Sequence, residues 1–205
     1  GKDPVKDQSY FLANTSGDVL KHVLFPVGKL LKTEVKKIAS RFHLSLEEKK
    51  ESMGICFIGK RNFQKFIGGY LGYQSGEIID YNTGKSIGSH LGAAFYTIGQ
   101  RKGLGIGGAG DAWFVVEKNM NKNQIIVVQG QNHPALFQQS LIATNCHWIQ
   151  GPPTTKTLQA KIRYRQQETP CVVEQLSAAT IRVIFEEKQR AVTPGQMVVF
   201  YEKDR

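Results

Sequence analysis

Apolar residues in the first sixty positions recur at helical spacing. Leu31, Val35, Ile38 and Phe42 fall on one stripe and predict a helix over roughly residues 32–43, with Lys36, Lys37 and Arg41 on its solvated side. A second short helix is expected after Asn62, with Phe63, Phe66 and Ile67 turned inward and Gly68-Gly69 as its stop. Between the two, Glu47 to Arg61 is dense in charge and then broken by Gly54 and Gly59, which marks a loop. From Gly76 the period changes to that of strands. Residues 77–81 and 86–90 flank the turn Asn82-Thr83-Gly84-Lys85 as a hairpin, and 93–98, 113–118 and 124–128 continue in β, the last two joined by the turn-like Asn119-Met120-Asn121-Lys122-Asn123. After His133-Pro134 come short runs at 140–149, 157–165, 169–175, 180–185 and 196–201, a regular series that suggests a small barrel or sandwich.

The expected fold class is α+β in three pieces. Residues 1–61 carry helices without the sheet they would cover, as though a domain had been cut. Residues 62–130 form a small central α+β domain, and 131–205 a C-terminal antiparallel β-barrel.

Charge changes this picture more than composition does. Hydrophobic content of 40% is ordinary, but 27 Lys+Arg against 17 Asp+Glu leave the 205-residue chain at +10. The excess is spread as +5 over 1–61, +2 over 62–130 and +3 over 131–205 (12 against 7, 6 against 4 and 9 against 6). A folded surface following a long polyanion fits that spread better than a basic tail does. No stretch approaches the length of a membrane span, and Gly1 to Asp7 lacks the apolar region of a signal peptide. The reading is a soluble, cytoplasmic protein with no membrane partner.

Cys56, Cys146 and Cys171 are too far apart for a CxxC, so zinc-finger and thioredoxin readings fail, and no metal site is expected. Cys56 sits in Met53-Gly54-Ile55-Cys56-Phe57-Ile58-Gly59 with Lys49, Lys50, Lys60 and Arg61 nearby. Such cations favour a thiolate, yet Ile55, Phe57 and Ile58 equally suit a small buried hydrophobe, and pattern alone favours the latter. Cys146 and Cys171 read as structural. Gly103-Leu104-Gly105-Ile106-Gly107-Gly108 satisfies GxGxxG, but a strand follows it where a dinucleotide fingerprint needs a helix. A dinucleotide-dependent oxidoreductase is therefore a poor rival, while contact of the glycines and Gln100-Arg101-Lys102 with an RNA backbone stays open. On a strand, Lys161, Arg163 and Arg165 would line one face at roughly 7 Å, close to phosphate spacing; a solvated face is as good a reading. Spacing assigns nothing to Lys6-Asp7-Gln8-Ser9-Tyr10.

Together these motifs resemble one family. Lys6-Asp7-Gln8-Ser9-Tyr10-Phe11-Leu12, Leu24-Phe25-Pro26-Val27-Gly28, Lys50-Glu51-Ser52-Met53-Gly54-Ile55-Cys56, Thr97-Ile98-Gly99-Gln100-Arg101-Lys102-Gly103-Leu104-Gly105, Arg163-Tyr164-Arg165-Gln166 and Thr193-Pro194-Gly195-Gln196 are similar, in order, to the tRNA-specific 2-thiouridylases of bacterial type. The resemblance implies an enzyme that uses ATP to adenylate the 2-oxygen of a tRNA wobble uridine. It then delivers sulfur to that carbon from a cysteine persulfide, and a second cysteine resolves the intermediate as a disulfide. By the same resemblance Cys56 is the persulfide carrier. Lys6, Asp7, Gln8, Arg163, Tyr164 and Gln196 contact tRNA, and a sulfur-donor protein, a relay factor or a cysteine desulfurase, is a partner.

The resemblance makes residues 1–61 the helical remnant of an α/β catalytic domain, but the chain departs from the family pattern in having no Ser-Gly-Gly-x-Asp-Ser nucleotide loop and no upstream catalytic cysteine, and it is expected to stop before the last strand. The expectation is a C-terminal fragment that binds no cofactor, lacks the ATP site of the full-length enzyme and does not turn over alone. The residues suggest no methyl-donor site. A non-catalytic β-barrel RNA-binding module is the alternative.

Overall fold

A computed structural model describes residues 1–44 and 63–202. Two compact units make up the chain. The first gathers Gly1–Ser52, Ser140–Glu187 and Gln196–Arg205; the second is Met53–Gln139 with Lys188–Gly195. The secondary structure is α+β, as the alternation of periods predicts. No helix among the described residues is long and apolar enough to cross a membrane.

In the first unit, a 3-10 helix at Ser9–Leu12 is followed by α1 (Gly17–Leu20) and α2 (Lys32–Arg41). Helix α2 falls where its stripe predicts and is started by two carboxylates. The Leu31 N–H donates to Glu34 Oε2 at 2.6 Å and the Lys32 N–H to Asp3 Oδ2 at 2.9 Å, which satisfies donors that the first turn otherwise leaves orphaned. Both carboxyls are held below the usual range, chiefly by these bonds: Asp3 by Lys32, Glu34 by Leu31.

The C-terminal part is a five-stranded sheet. Strands β5 (Phe137–Thr144), β6 (Thr157–Lys161), β7 (Thr169–Ser177), β8 (Thr180–Arg190) and β9 (Val199–Tyr201) lie in the order β5-β8-β7-β6-β9. The β6–β7, β6–β9 and β7–β8 pairings are antiparallel. In that order β5 and β9 are the two edges, so among the described residues the barrel-type sheet does not close. Alternate residues point inward: Leu158 and Ala160 on β6, Cys171 and Val173 on β7, Ile181, Val183 and Phe185 on β8 are all buried.

The second unit is built on a mixed four-stranded sheet of order β2-β1-β4-β3, from β1 (Gly76–Asp80), β2 (Ser86–His90), β3 (Trp113–Asn119) and β4 (Gln124–Gln129). Both predicted hairpins form, and the parallel β1–β4 pairing joins them. Ile78, Val115, Ile125 and Val127 are fully buried in the main core, with Phe95, Tyr96 and Leu104 against them. Asn123, in left-handed conformation in the β3–β4 turn, donates to the Gln74 and Ser75 carbonyls and accepts the Ala93 N–H.

Two local expectations fail for identifiable reasons. Residues 93–98 are not a strand: Ala93–Phe95 is a 3-10 helix, because Ala93, Phe95 and Tyr96 all plug the core and alternation would have exposed one of them. Helix α3 (Phe63–Leu71) runs through Gly68-Gly69. Its end is Gly72, at φ +69°, whose N–H returns to the Gly68 carbonyl at 2.9 Å. A Cβ at Gly68 would run into the Tyr73 ring, so that glycine serves packing instead.

Candidate nucleic-acid interface

The N-terminal motif is shaped by its own aspartates. Asp3 accepts from the Val5 and Lys6 N–H groups at 3.0 and 3.2 Å, turning the chain at Lys6. Asp7 accepts the Ser9 N–H at 2.9 Å and the Ser9 hydroxyl at 3.1 Å. Burial alone would raise the Asp7 carboxyl, but these bonds and the adjacent amino terminus outweigh it and hold it low, so Asp7 stays an anion. The turn leads through Gln8 into the 3-10 helix at Ser9–Leu12, which places Tyr10 inward and leaves Phe11 half-exposed.

Tyr10 and Phe11 bring three distant motifs together within the first unit. The Tyr10 hydroxyl donates to the Met197 carbonyl at 2.8 Å, next to Gln196. Asn14 Nδ2 reaches Met197 Sδ at 3.4 Å. The Phe11 ring lies 4.7 Å from that of Tyr164, and the Tyr10 ring lies 6.3 Å from it. Burial raises the Tyr10 phenol, with Tyr201 adding to the rise and the Arg163 cation opposing it. Lys6, Asp7, Gln8, Arg163, Tyr164 and Gln196, separated by up to 190 positions, therefore lie on segments that these contacts join within the first unit. The aromatic pair that joins them carries no sequence signal beyond adjacency to the polar cluster, and neither it nor Met197 stands out in the chain.

The expected row of three cations does not form. Strand β6 ends at Lys161, because β9 pairs only with Gln159 to Lys161 and the Ile162 N–H turns to Gln166 Oε1 at 3.1 Å. Arg163 to Gln166 is a turn, closed by the Gln166 N–H on the Arg163 carbonyl at 3.2 Å. Lys161 is paired with Glu168 at 3.1 Å and sits 4.9 Å over the Tyr201 ring. Arg165 takes a left-handed conformation, φ +69°, and lies over the Tyr164 ring at 5.4 Å. Instead of a strip of charge there is a turn in which Arg163 and Arg165 flank Tyr164 in sequence and Arg165 lies over its ring.

Cys56 lies outside the described residues. Of the other two cysteines, Cys171 is buried and its thiol is pushed up to about 11 by that burial, which leaves almost no thiolate at neutral pH. Cys146 is half-buried, its Sγ lies 3.7 Å from the Ala143 carbonyl, and burial raises it as well. Both behave as structural residues.

The class of protein follows from comparison. Residues 1–60 match the tRNA methyl transferase HUP domain, 64–129 the tRNA methyl transferase PRC-barrel domain, and 138–205 the aminomethyltransferase β-barrel domain. Over its whole length the chain is 50% identical to "tRNA-specific 2-thiouridylase MnmA 1" of Geobacillus kaustophilus, covering 56% of that protein. It is 48% identical over 98% of its length to "tRNA-specific 2-thiouridylase MnmA" of Protochlamydia amoebophila, covering 54%, and 50% identical over 98% to that of Haemophilus influenzae, again covering 54%. The chain belongs to the tRNA-specific 2-thiouridylase family. It spans about half the length of the curated relatives it matches.

Proposed function

We propose that this chain supplies the tRNA grip and the sulfur-carrying cysteine of a tRNA 2-thiouridylase. The observation that carries the reading is the convergence of the three motifs through the Tyr10–Met197 hydrogen bond and the Phe11–Tyr164 contact. Lys6 and Arg163 engage phosphates, Asp7 and Gln8 offer an acceptor and an amide to sugar or base edges, Tyr164 presents a ring, and Gln196 completes the rim. The basic excess supports the same reading, since phosphate contacts dominate RNA affinity.

In this proposal the division of labour follows the pieces 1–61, 62–130 and 131–205. ATP is a substrate of the whole enzyme and adenylates the uridine 2-oxygen. The outer sulfur of a Cys56 persulfide attacks C2, a second cysteine attacks the Cys56 sulfur to form a disulfide, and AMP departs with the former 2-oxygen. The persulfide comes from a sulfur-donor protein, in the cytoplasm. The chain alone performs no turnover.

Cys56→Ser in the full-length enzyme separates this reading from a purely RNA-binding module. Thiolation should disappear while tRNA binding persists; thiolation at the parent rate would remove Cys56 from the mechanism. Arg163→Ala should weaken tRNA binding about tenfold at low salt, the scale of one lost charged phosphate contact.

A further inference from the structure

The second unit contains an open depression of about 370 Å³ whose lining includes Arg101, Gly105, Gly107, Asp111 and Trp113. The loop that forms it is held at both ends. Gln100 accepts the Thr97 N–H at 3.0 Å and donates to the Lys102 carbonyl at 2.9 Å, while Gln129 donates to the Ala109 carbonyl at 2.8 Å. Leu104 is buried in the core, and Ile106 packs on it where Gly88 leaves room. The glycines between these anchors are exposed.

Three features of this loop have no internal explanation. Gly103 and Gly105 have positive φ while Leu104 and Ile106 do not, an alternation of sign compatible with the successive N–H groups of an anion-binding nest. Among the described residues, no N–H from Gly103 to Gly108 donates a hydrogen bond. Gly107 has ordinary backbone geometry and open space where a Cβ would stand, so neither conformation nor packing requires glycine there. Glycine there leaves the backbone open to close approach by an external group. Arg101 and Lys102 are exposed beside it and, among the described residues, form no ion pair.

We propose that this loop binds one phosphodiester of the RNA substrate, a contact of the second unit separate from the Lys6–Arg163 grip. The proposal rests on the tRNA reading above. The phosphate takes the glycine N–H groups and Arg101, and Trp113, half-buried against the core, offers an edge to the attached sugar or base. Asp111 on the lining selects the kind of ligand. Its carboxylate repels a second phosphate, as in pyrophosphate or ATP, and accepts from a ribose 2′-hydroxyl or a base amino group. An open depression also suits a continuous strand passing over it.

The test measures tRNA affinity of the 205-residue chain across a salt series, with pyrophosphate and ATP as competitors. Arg101→Ala should raise Kd about tenfold at low salt and reduce the salt slope by about one. Gly107→Leu should weaken binding to a similar degree at unchanged melting temperature, whereas Gly69→Ala, equally open but remote in sequence on α3, should change nothing. The Arg101→Ala loss should add to that of Arg163→Ala. Binding within twofold of the parent for both loop variants would overturn this inference and leave the proposed function standing. Pyrophosphate or ATP binding that depends on Gly107 and Arg101, with tRNA binding unaffected, would assign the loop to a small anion and overturn the RNA commitment. A parent chain without tRNA affinity would overturn both readings.

Discussion

Residues 1–44 and the four-stranded sheet of the second unit use similar apolar residues to opposite effect. In the sheet, Ile78, Val115, Ile125 and Val127 lose essentially all contact with solvent. In 1–44, Tyr10 is the one buried residue among those described, while Leu24 is 87% exposed and Phe42 72%. Helix α2 has a well-formed apolar stripe and carboxylates at its start, yet none of its residues is buried among those described. An amphipathic pattern thus reports what a helix is built to meet, and a core forms only where topology supplies the second layer. The sheet carries its own stability, whereas 1–44 is organised by caps and by a single anchored tyrosine.

This contrast can be broken or sharpened by experiment. Ile125→Ala should destabilise the second unit by about 2–5 kcal/mol in urea titration, as for cavities in well-packed cores; a loss below about 1 kcal/mol would mean the core is loose. Tyr10→Phe removes the donor to the Met197 carbonyl and should cost about 1 kcal/mol in the first unit, with a weaker grip on tRNA. Leu24→Ser should stay within about 0.5 kcal/mol of the parent, because an exposed side chain has little burial to lose; a large loss would show that 1–44 packs after all.

A further distinction lies in pH. Burial lowers the imidazole of His90, which accepts the Gly92 N–H on Nδ1 at 2.9 Å and meets the Tyr96 ring edge-on. Among the described residues its buried Nε2 has no hydrogen-bond partner; burial is the larger effect, and the Asn123 and Glu77 backbones act against it by favouring the cation. The unfolded chain takes up a proton near the ordinary value of 6.5, which the folded form resists. Stability of the second unit should therefore be level above pH 6.5 and fall as pH drops through His90's lower folded value. Urea midpoints at pH 7.5 and 5, compared with those of His90→Gln, measure this; an equal drop in the variant would assign the effect elsewhere.

Period-based reading of the chain found α2, both hairpins and the strand series, because each buries one face against a neighbour and so imposes its period on the residues. The parallel β1–β4 pairing left no such mark, since Ile78 and Ile125 would be apolar beside any neighbour. At residues 161–165 alternation misled: the pattern is that of a strand, but the Gln166 side chain, four positions on from Ile162, takes the Ile162 N–H and ends the ladder. The candidate grip was legible through family resemblance, motif by motif. Its assembly was not, because the link is a backbone carbonyl at Met197, which side-chain identity does not encode.

That link also sets a timetable. Tyr10 and Met197 are 187 positions apart. At a synthesis rate of roughly 5–20 residues per second, Tyr10 is incorporated about ten to forty seconds before the carbonyl that receives its hydroxyl exists. The strands of the second unit are complete well within that interval. The newborn protein thus has every strand of the central sheet while the candidate RNA-binding surface is still in two pieces, and a ribosome that stalls short of Met197 releases a chain in which those pieces have not been joined.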